Sequence, residues 1–436
     1  MSFQFLDNGQ PLYMRVYNYY KDMISKGTLT SGQKLPSIRR CSEELNISCT
    51  TVENAYMSLM ADGYIFSKKN SGYYVSDLLL PEKFTKTVQG AKTEAPVIRY
   101  NFSSAGADRE SFNFDLWRRY IKSALRQDER LLSYGEPQGE YEFREALAGY
   151  ISAKRSVVCS ARNIVVGAGV QSVLHILCAL IDEKKNIRFS DPDFRQGIAV
   201  FRDHGFRIDN ENYDIIYVNP SNINRFGGTM NVGERFSMIK EAFDHNRLII
   251  EDDYGSEFSY LSGRTPSLQS LASGKNVVYI GTFSGLLLPS IRMSYMVLPD
   301  EFMDKYTSIS FDYNQTASKT EQIALCQFIR DGHLDSQIRK QRKLYTAKSR
   351  LLAEALKKSF GNAAGIVITD SVITVKAELE TELQPQELIR RARLNGVALN
   401  AMKGADGKTN IILSCAAVSA EDFSKAAELI KKSSEI

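Results

Sequence analysis

The sequence predicts two folded parts in tandem: a winged helix-turn-helix, then an α/β domain on a mostly parallel sheet. Three observations predict this. The first eighty residues carry three helical patterns followed by two strand-like runs. The stretch 79–99 mixes Pro, Gly, Lys and Thr without sustained periodicity, as a connector does. Beyond Tyr100, short β-rich runs alternate with helical stretches. A chain of 436 residues has room for two or three domains.

In the first part, Tyr13, Val16, Tyr20 and Met23/Ile24 recur at helical spacing, and Gly27 is the stop. Ser37 is suited to cap a second helix that runs to about Leu45, with Asn46 making the turn. Ser48 caps a third, whose apolar positions are Val52, Ala55, Tyr56 and Leu59, and Gly63 ends it. Tyr64-Ile65-Phe66 and Tyr73-Tyr74-Val75 read as a hairpin whose tip holds Lys68 and Lys69. The second part, 100–436, shows strand-like runs at Ile164-Val165-Val166, Ile215–Val218, Leu248–Ile250 and Val277–Ile280. In such sheets ligands gather at the carboxyl ends of the strands. Residues from about 335 to 436 are expected to form a smaller α+β subdomain.

Hydrophobic content of 43% and charged content of 24% are those of a soluble globular protein, and a net charge of +4 does not by itself announce nucleic acid. The first part holds eight Lys/Arg against seven Asp/Glu. With so weak a field, useful DNA affinity requires two such domains on one operator, hence a dimer. A winged helix used only for protein contacts is the alternative. Six scattered cysteines without a CxxC pair read as reduced thiols of a cytoplasmic protein. The four histidines show no zinc-ligand spacing. No signal peptide is expected, because Met1–Asp7 has no basic stretch before an apolar run, and no membrane span, because no apolar run approaches ~20 residues.

The segment from Pro11 to Val75 resembles the DNA-binding domain of GntR-type bacterial regulators through its L-P-S-x-R and S-x-x-T-V-x-x-A-Y-x-x-L patterns. The resemblance implies that Arg39 clamps a phosphate, that Ser48, Thr50 and Thr51 face double-stranded DNA, and that Lys68 and Lys69 lie on the wing. Cys49 stands where an arginine is usual, which removes a guanidinium able to read guanine.

The second part resembles fold-type I pyridoxal-phosphate (PLP) enzymes of the aminotransferase kind. Tyr134-Gly135-Glu136-Pro137-Gln138-Gly139, Gly167-Ala168-Gly169-Val170-Gln171, Glu251–Phe258 and Tyr279–Arg292 carry the likeness. It implies that Gly169, Val170, Gln171, Thr282, Ser284 and Arg292 meet the cofactor phosphate. Phe194 would stack on the ring, Asp252 would pair with the pyridinium nitrogen and Tyr254 with the ring oxygen. Strand-end acids that cap the next element are the bland alternative for Glu251–Asp253.

The combination resembles the MocR subfamily. For that subfamily a cytosolic homodimer is implied, with PLP and an amine or amino acid acting as signals. The lysine that forms the Schiff base is here Gly285, and Ile412 stands where an arginine grips the substrate carboxylate. Asn222 and Arg225 replace further family residues. The expectation is a DNA-binding regulator without PLP catalysis, holding the cofactor non-covalently or not at all. A PLP-dependent enzyme using a lysine from elsewhere stays open as the rival.

Overall fold

The computed structural model describes residues 11–68, 71–77, 96–103, 106–181, 185–222, 228–259, 265–404 and 407–434. Contacts within the chain separate two compact units, Met1–Glu94 and Ala95–Ile436.

The first unit contains α1 (Leu12–Ser25), α2 (Ile38–Leu45), α3 (Cys49–Ala61), β1 (Ile65–Lys68) and β2 (Gly72–Val75). Its helix ends follow local chemistry. The Ser37 hydroxyl accepts from the Arg40 amide and Ser48 from the Thr51 amide, each satisfying one orphan donor of a first turn. Asn46 closes α2 in the left-handed conformation. β1 and β2 pair antiparallel, Ile65 opposite Val75 and Lys68 opposite Gly72. Val16, Tyr20, Val52, Ala55, Tyr56 and Leu59 bury together as their spacing predicts. Tyr17, outside that pattern, is also buried, and its hydroxyl donates to Asp62.

The second unit is a seven-stranded sheet with helices on both faces. Its strands are β3 (Ile164–Gly167), β4 (Asn186–Phe189), β5 (Arg207–Ile208), β6 (Ile215–Val218), β7 (Leu248–Asp252), β8 (Val277–Thr282) and β9 (Ser294–Val297). The spatial order is β3-β9-β8-β7-β6-β4-β5. β9 alone runs antiparallel to its neighbours. β3 and β6 are buried at every residue, as β-branched runs covered on both faces must be. Alternation along β8 sends Val278 and Ile280 into one core and Tyr279 into the other. α4 (Val170–Leu180) and α5 (Arg195–Asp203) follow β3 and β4. The four runs expected as strands are all present, while β4, β5 and β9 were not anticipated.

The 28-residue helix α6 (His333–Phe360) leads to a second sheet. It consists of β10 (Ala364–Ile368), β11 (Thr374–Leu379), β12 (Asn400–Lys403) and β13 (Thr409–Ser414), all antiparallel in the order β10-β11-β13-β12. α7 (Phe423–Ser434) packs on α6 through Phe423, Ala426, Ala427 and Ile430. No helix among the described residues is long and apolar enough to cross a membrane.

Candidate functional site

The candidate residues gather in two places, one in each unit. In the first, Ser48, Thr50 and Thr51 stand together at the amino end of α3. The Ser48 and Thr51 hydroxyls lie 2.7 Å apart and are engaged with each other, so Thr50 is the freer of the three. Cys49 is exposed, with its thiol donating to Ser42 at 3.4 Å. Arg39, on the first turn of α2, pairs with Glu43 at 3.4 Å and remains largely solvent-facing. Lys68 lies over the Tyr74 ring at 5.2 Å. Lys69 lies outside the described residues.

In the second unit, the carboxyl ends of β3, β7 and β8 converge. Strand register sets Gly167, Ser294 and Thr282 side by side across β3, β9 and β8. That alignment draws the Gly167–Gly169 turn toward the segment after β8. Gly169 has φ +87° and caps α4, and Arg292 packs directly on it. A Cβ on Gly169 would lie 2.7 Å from Arg292 Nη2, so this approach needs glycine. The amino end of α4, with Val170 and Gln171 as its first residues, and a guanidinium together make an anion seat. The Thr282 hydroxyl donates to the Met293 carbonyl at 3.3 Å and Ser284 to Ile291 at 3.1 Å.

The acidic run at the end of β7 divides its labour. Glu251 accepts from the Leu268 and Gln269 amides at 2.8 and 2.9 Å, capping the helical turn Leu268–Leu271. Asp253 takes a two-pronged bond from Arg155 at 2.7 and 2.9 Å and a third from the Tyr279 hydroxyl at 2.6 Å. Asp252 is bonded instead by the Tyr217 hydroxyl at 2.7 Å and the Tyr254 amide at 3.0 Å. Burial pushes the Asp252 carboxyl up to about 6, against these two donors. Phe194 stacks on Tyr217, ring centres 5.1 Å apart. Sequence reading missed Tyr217, whose role depends on strand pairing. The capping alternative describes Glu251 alone; Asp253 is an ion-pair partner, and Asp252 is left as the acid beside an aromatic stack.

A cavity of about 400 Å³ lies beside these groups. Tyr254, Thr282, Ser284 and Gly285 line it, and so do Asn222 and Ile412. The substitutions singled out from the sequence thus meet in one space; Arg225 lies outside the described residues. The Tyr254 ring leans against Gly285: a Cβ there would come within 3.2 Å of Cε2. No lysine lines the cavity among the described residues.

The residues therefore fit a phosphorylated pyridine at its phosphate seat, Gly169 with Arg292, and at its ring acid, Asp252. They do not fit its covalent attachment. Two of the histidines meet, His175 Nδ1 lying 3.0 Å from His204 Nε2. The described residues hold no group of three or more metal-ligand side chains.

Residues 12–75 match the family described as bacterial regulatory proteins, gntR family, and residues 106–217 match aminotransferase class I and II. The HTH-type transcriptional regulator YdeL of Bacillus subtilis is 33% identical over 409 residues, 89% of this chain and 88% of that one. The probable rhizopine catabolism regulatory protein MocR of Rhizobium meliloti is 26% identical, over 90% and 86%. The chain belongs to the MocR-type GntR transcriptional regulators. As in that family, a winged helix precedes an aminotransferase-like domain. An archaeal alanine:glyoxylate aminotransferase shares the fold of this MocR-type chain, with a TM-score of 0.69 at 19% identity over 79% of it and 92% of the enzyme. The α-aminoadipate aminotransferase LysN of Thermus thermophilus, solved with N-(5'-phosphopyridoxyl)-L-leucine, does so with a TM-score of 0.65 at 20% identity, over 77% and 92%.

Proposed function

We propose that this regulator reads its operator as a cytoplasmic homodimer and uses its aminotransferase-like domain for dimerisation and non-covalent sensing, without Schiff-base catalysis. Residues 1–78 form the reader, with Arg39, Ser48, Thr50, Thr51, Lys68 and Lys69 toward DNA. Residues 79–99 connect it to the sensor at 100–436, whose smaller subdomain spans roughly 335–436. The observation that carries the reading is Gly285, which stands at the position the family resemblance gives to the Schiff-base lysine and has the Tyr254 ring against it. A positioned general base is worth ~10²–10⁴-fold in rate, and covalent attachment is lost with it.

Retention of the Gly169–Arg292 seat and of Asp252 supports binding of PLP, or a compound like it, without a bond to the protein. Gly169, Val170, Gln171, Thr282, Ser284 and Arg292 would take the phosphate, Phe194 and Tyr254 the ring, and Asp252 its nitrogen. When bound, such a group supplies an electron sink; the described walls of the cavity hold no lysine to exchange with it. The test is a mobility shift of the protein's own upstream DNA at low salt, repeated with PLP. Absence of any shift sinks the regulator role assigned to these residues. Borohydride trapping of PLP on a native lysine peptide of this site would sink the non-covalent part.

A further inference from the structure

Outside the cavity, α4 and α5 pack side by side through Val173, Leu174, Leu177, Ile198 and Phe201. That packing brings His175, in the second turn of α4, to His204, the residue after the last of α5. The ring centres lie 5.2 Å apart at an interplanar angle of 52°, and His175 Nδ1 faces His204 Nε2 at 3.0 Å. His175 is exposed and His204 half-buried, so solvent reaches the pair. Among the described residues neither imidazole has another hydrogen-bond or ion-pair partner. Burial, and then the neighbouring His175, hold the His204 imidazole below its ordinary value against the pull of Asp203. At neutral pH that ring is uncharged and has a lone pair to give.

Two neutral imidazoles at this distance suit one divalent ion of the later transition series. Bound at about 2.1 Å, two imidazole nitrogens stand roughly 3.0–3.4 Å apart in octahedral or tetrahedral geometry. The spacing of the pair falls in that span, so no approach of the two helices is needed. The proton between the rings moves to an outer ring nitrogen, and both facing lone pairs turn to the ion. Imidazole favours zinc, nickel and copper, whereas magnesium and calcium seek oxygen. We infer that His175 and His204 form a two-point site for Zn²⁺ or Ni²⁺ that ties α4 to α5, with water completing the shell. α4 begins at the Gly169–Arg292 seat and α5 directly after Phe194, so the tie fastens two helices whose amino ends meet the candidate site. The metal site stands whether or not the cavity senses a ligand.

Metal-free full-length protein at about pH 7.5, titrated with Ni²⁺, Zn²⁺ and Mg²⁺ by calorimetry and thermal shift, tests it. Ni²⁺ and Zn²⁺ should bind and raise the melting temperature, and Mg²⁺ should do neither. His175→Gln and His204→Gln should each weaken Ni²⁺ by at least about tenfold, since even the outer partners of a metal site are worth that much. Binding should vanish near pH 5, where both rings are protonated. Ni²⁺ binding left unchanged by both substitutions places the ion elsewhere and overturns the inference, as does no binding of either transition ion. Should a variant not fold, diethylpyrocarbonate labelling of the unaltered protein decides. Ni²⁺ should shield His175 and His204 and leave the exposed His245 reactive. Equal labelling of the pair with and without Ni²⁺ overturns the inference.

Discussion

Placing an amine at position 285 separates a preserved cofactor cradle from a backbone that merely resembles one. Gly285 is not among the glycines with positive φ, so a side chain meets no backbone strain there. The obstacle is the Tyr254 ring, 3.2 Å from the new Cβ, which must retreat by a few tenths of an ångström. Tyr254 is 38% exposed and has room to move, so this overpacking costs about 1 kcal/mol. Ordering a lysine chain adds up to ~2 kcal/mol. A domain of this size loses roughly 2–4 °C of Tm per kcal/mol, so Gly285→Lys should melt roughly 2–12 °C lower yet remain folded. After incubation with PLP and reduction by borohydride, cofactor mass should appear on the peptide spanning Tyr279–Arg292. Because only the unprotonated amine adds to the aldehyde, labelling should increase with pH. A folded Gly285→Lys protein that takes no label at any pH would refute the claim that Arg292, Gly169 and Asp252 still form a seat.

Arg155→Met leaves Asp253 buried with only hydroxyl partners and should cost about 3–5 kcal/mol, read as a fall in denaturation midpoint. Burial, with Asp253 nearby, pushes Glu251 and Glu257 up to about 7, above their unfolded range. Their contribution is therefore full below about pH 4 and is lost as pH rises toward 7. Glu257→Gln should accordingly gain on the unaltered protein by about 1–3 kcal/mol between pH 5 and pH 8, measured by urea unfolding at both; a gain in the opposite direction would refute the burial argument. Ser48→Ala removes the cap of α3 and should destabilise the first unit by about 1 kcal/mol, visible as faster amide exchange along 49–61.

The winged helix was legible because its signals are local. Ser37, Ser48 and Asn46 act on atoms within a few residues of themselves, and Val52, Tyr56 and Leu59 follow one helical face. Tyr17 was missed because the partner of its hydroxyl, Asp62, lies on the far side of the domain's chain path. The strands of the large unit announce themselves through β-branched runs, but the reversed direction of β9 is a property of the assembled sheet. The same holds for the site. The residue types at Gly285, Ile412 and Asn222 were readable one by one, yet only the fold shows that they share a cavity. The contact of Tyr217 with Asp252 arises from the pairing of neighbouring strands.

The ring of Tyr254 against Gly285 also bears on how long the protein survives when cofactor is scarce. An enzyme that binds its cofactor tightly gains RT ln(1 + [L]/Kd) of stability from it and weakens when the supply falls. Its free lysine, left in a dry pocket, adds a desolvated amine to that burden. This chain has neither dependence at position 285: no amine needs a partner, and an aromatic face of its own covers the glycine. Its ligand-free form should therefore carry no penalty from a stranded amine at this position, while any compound that fills the cavity still adds its own RT ln(1 + [L]/Kd).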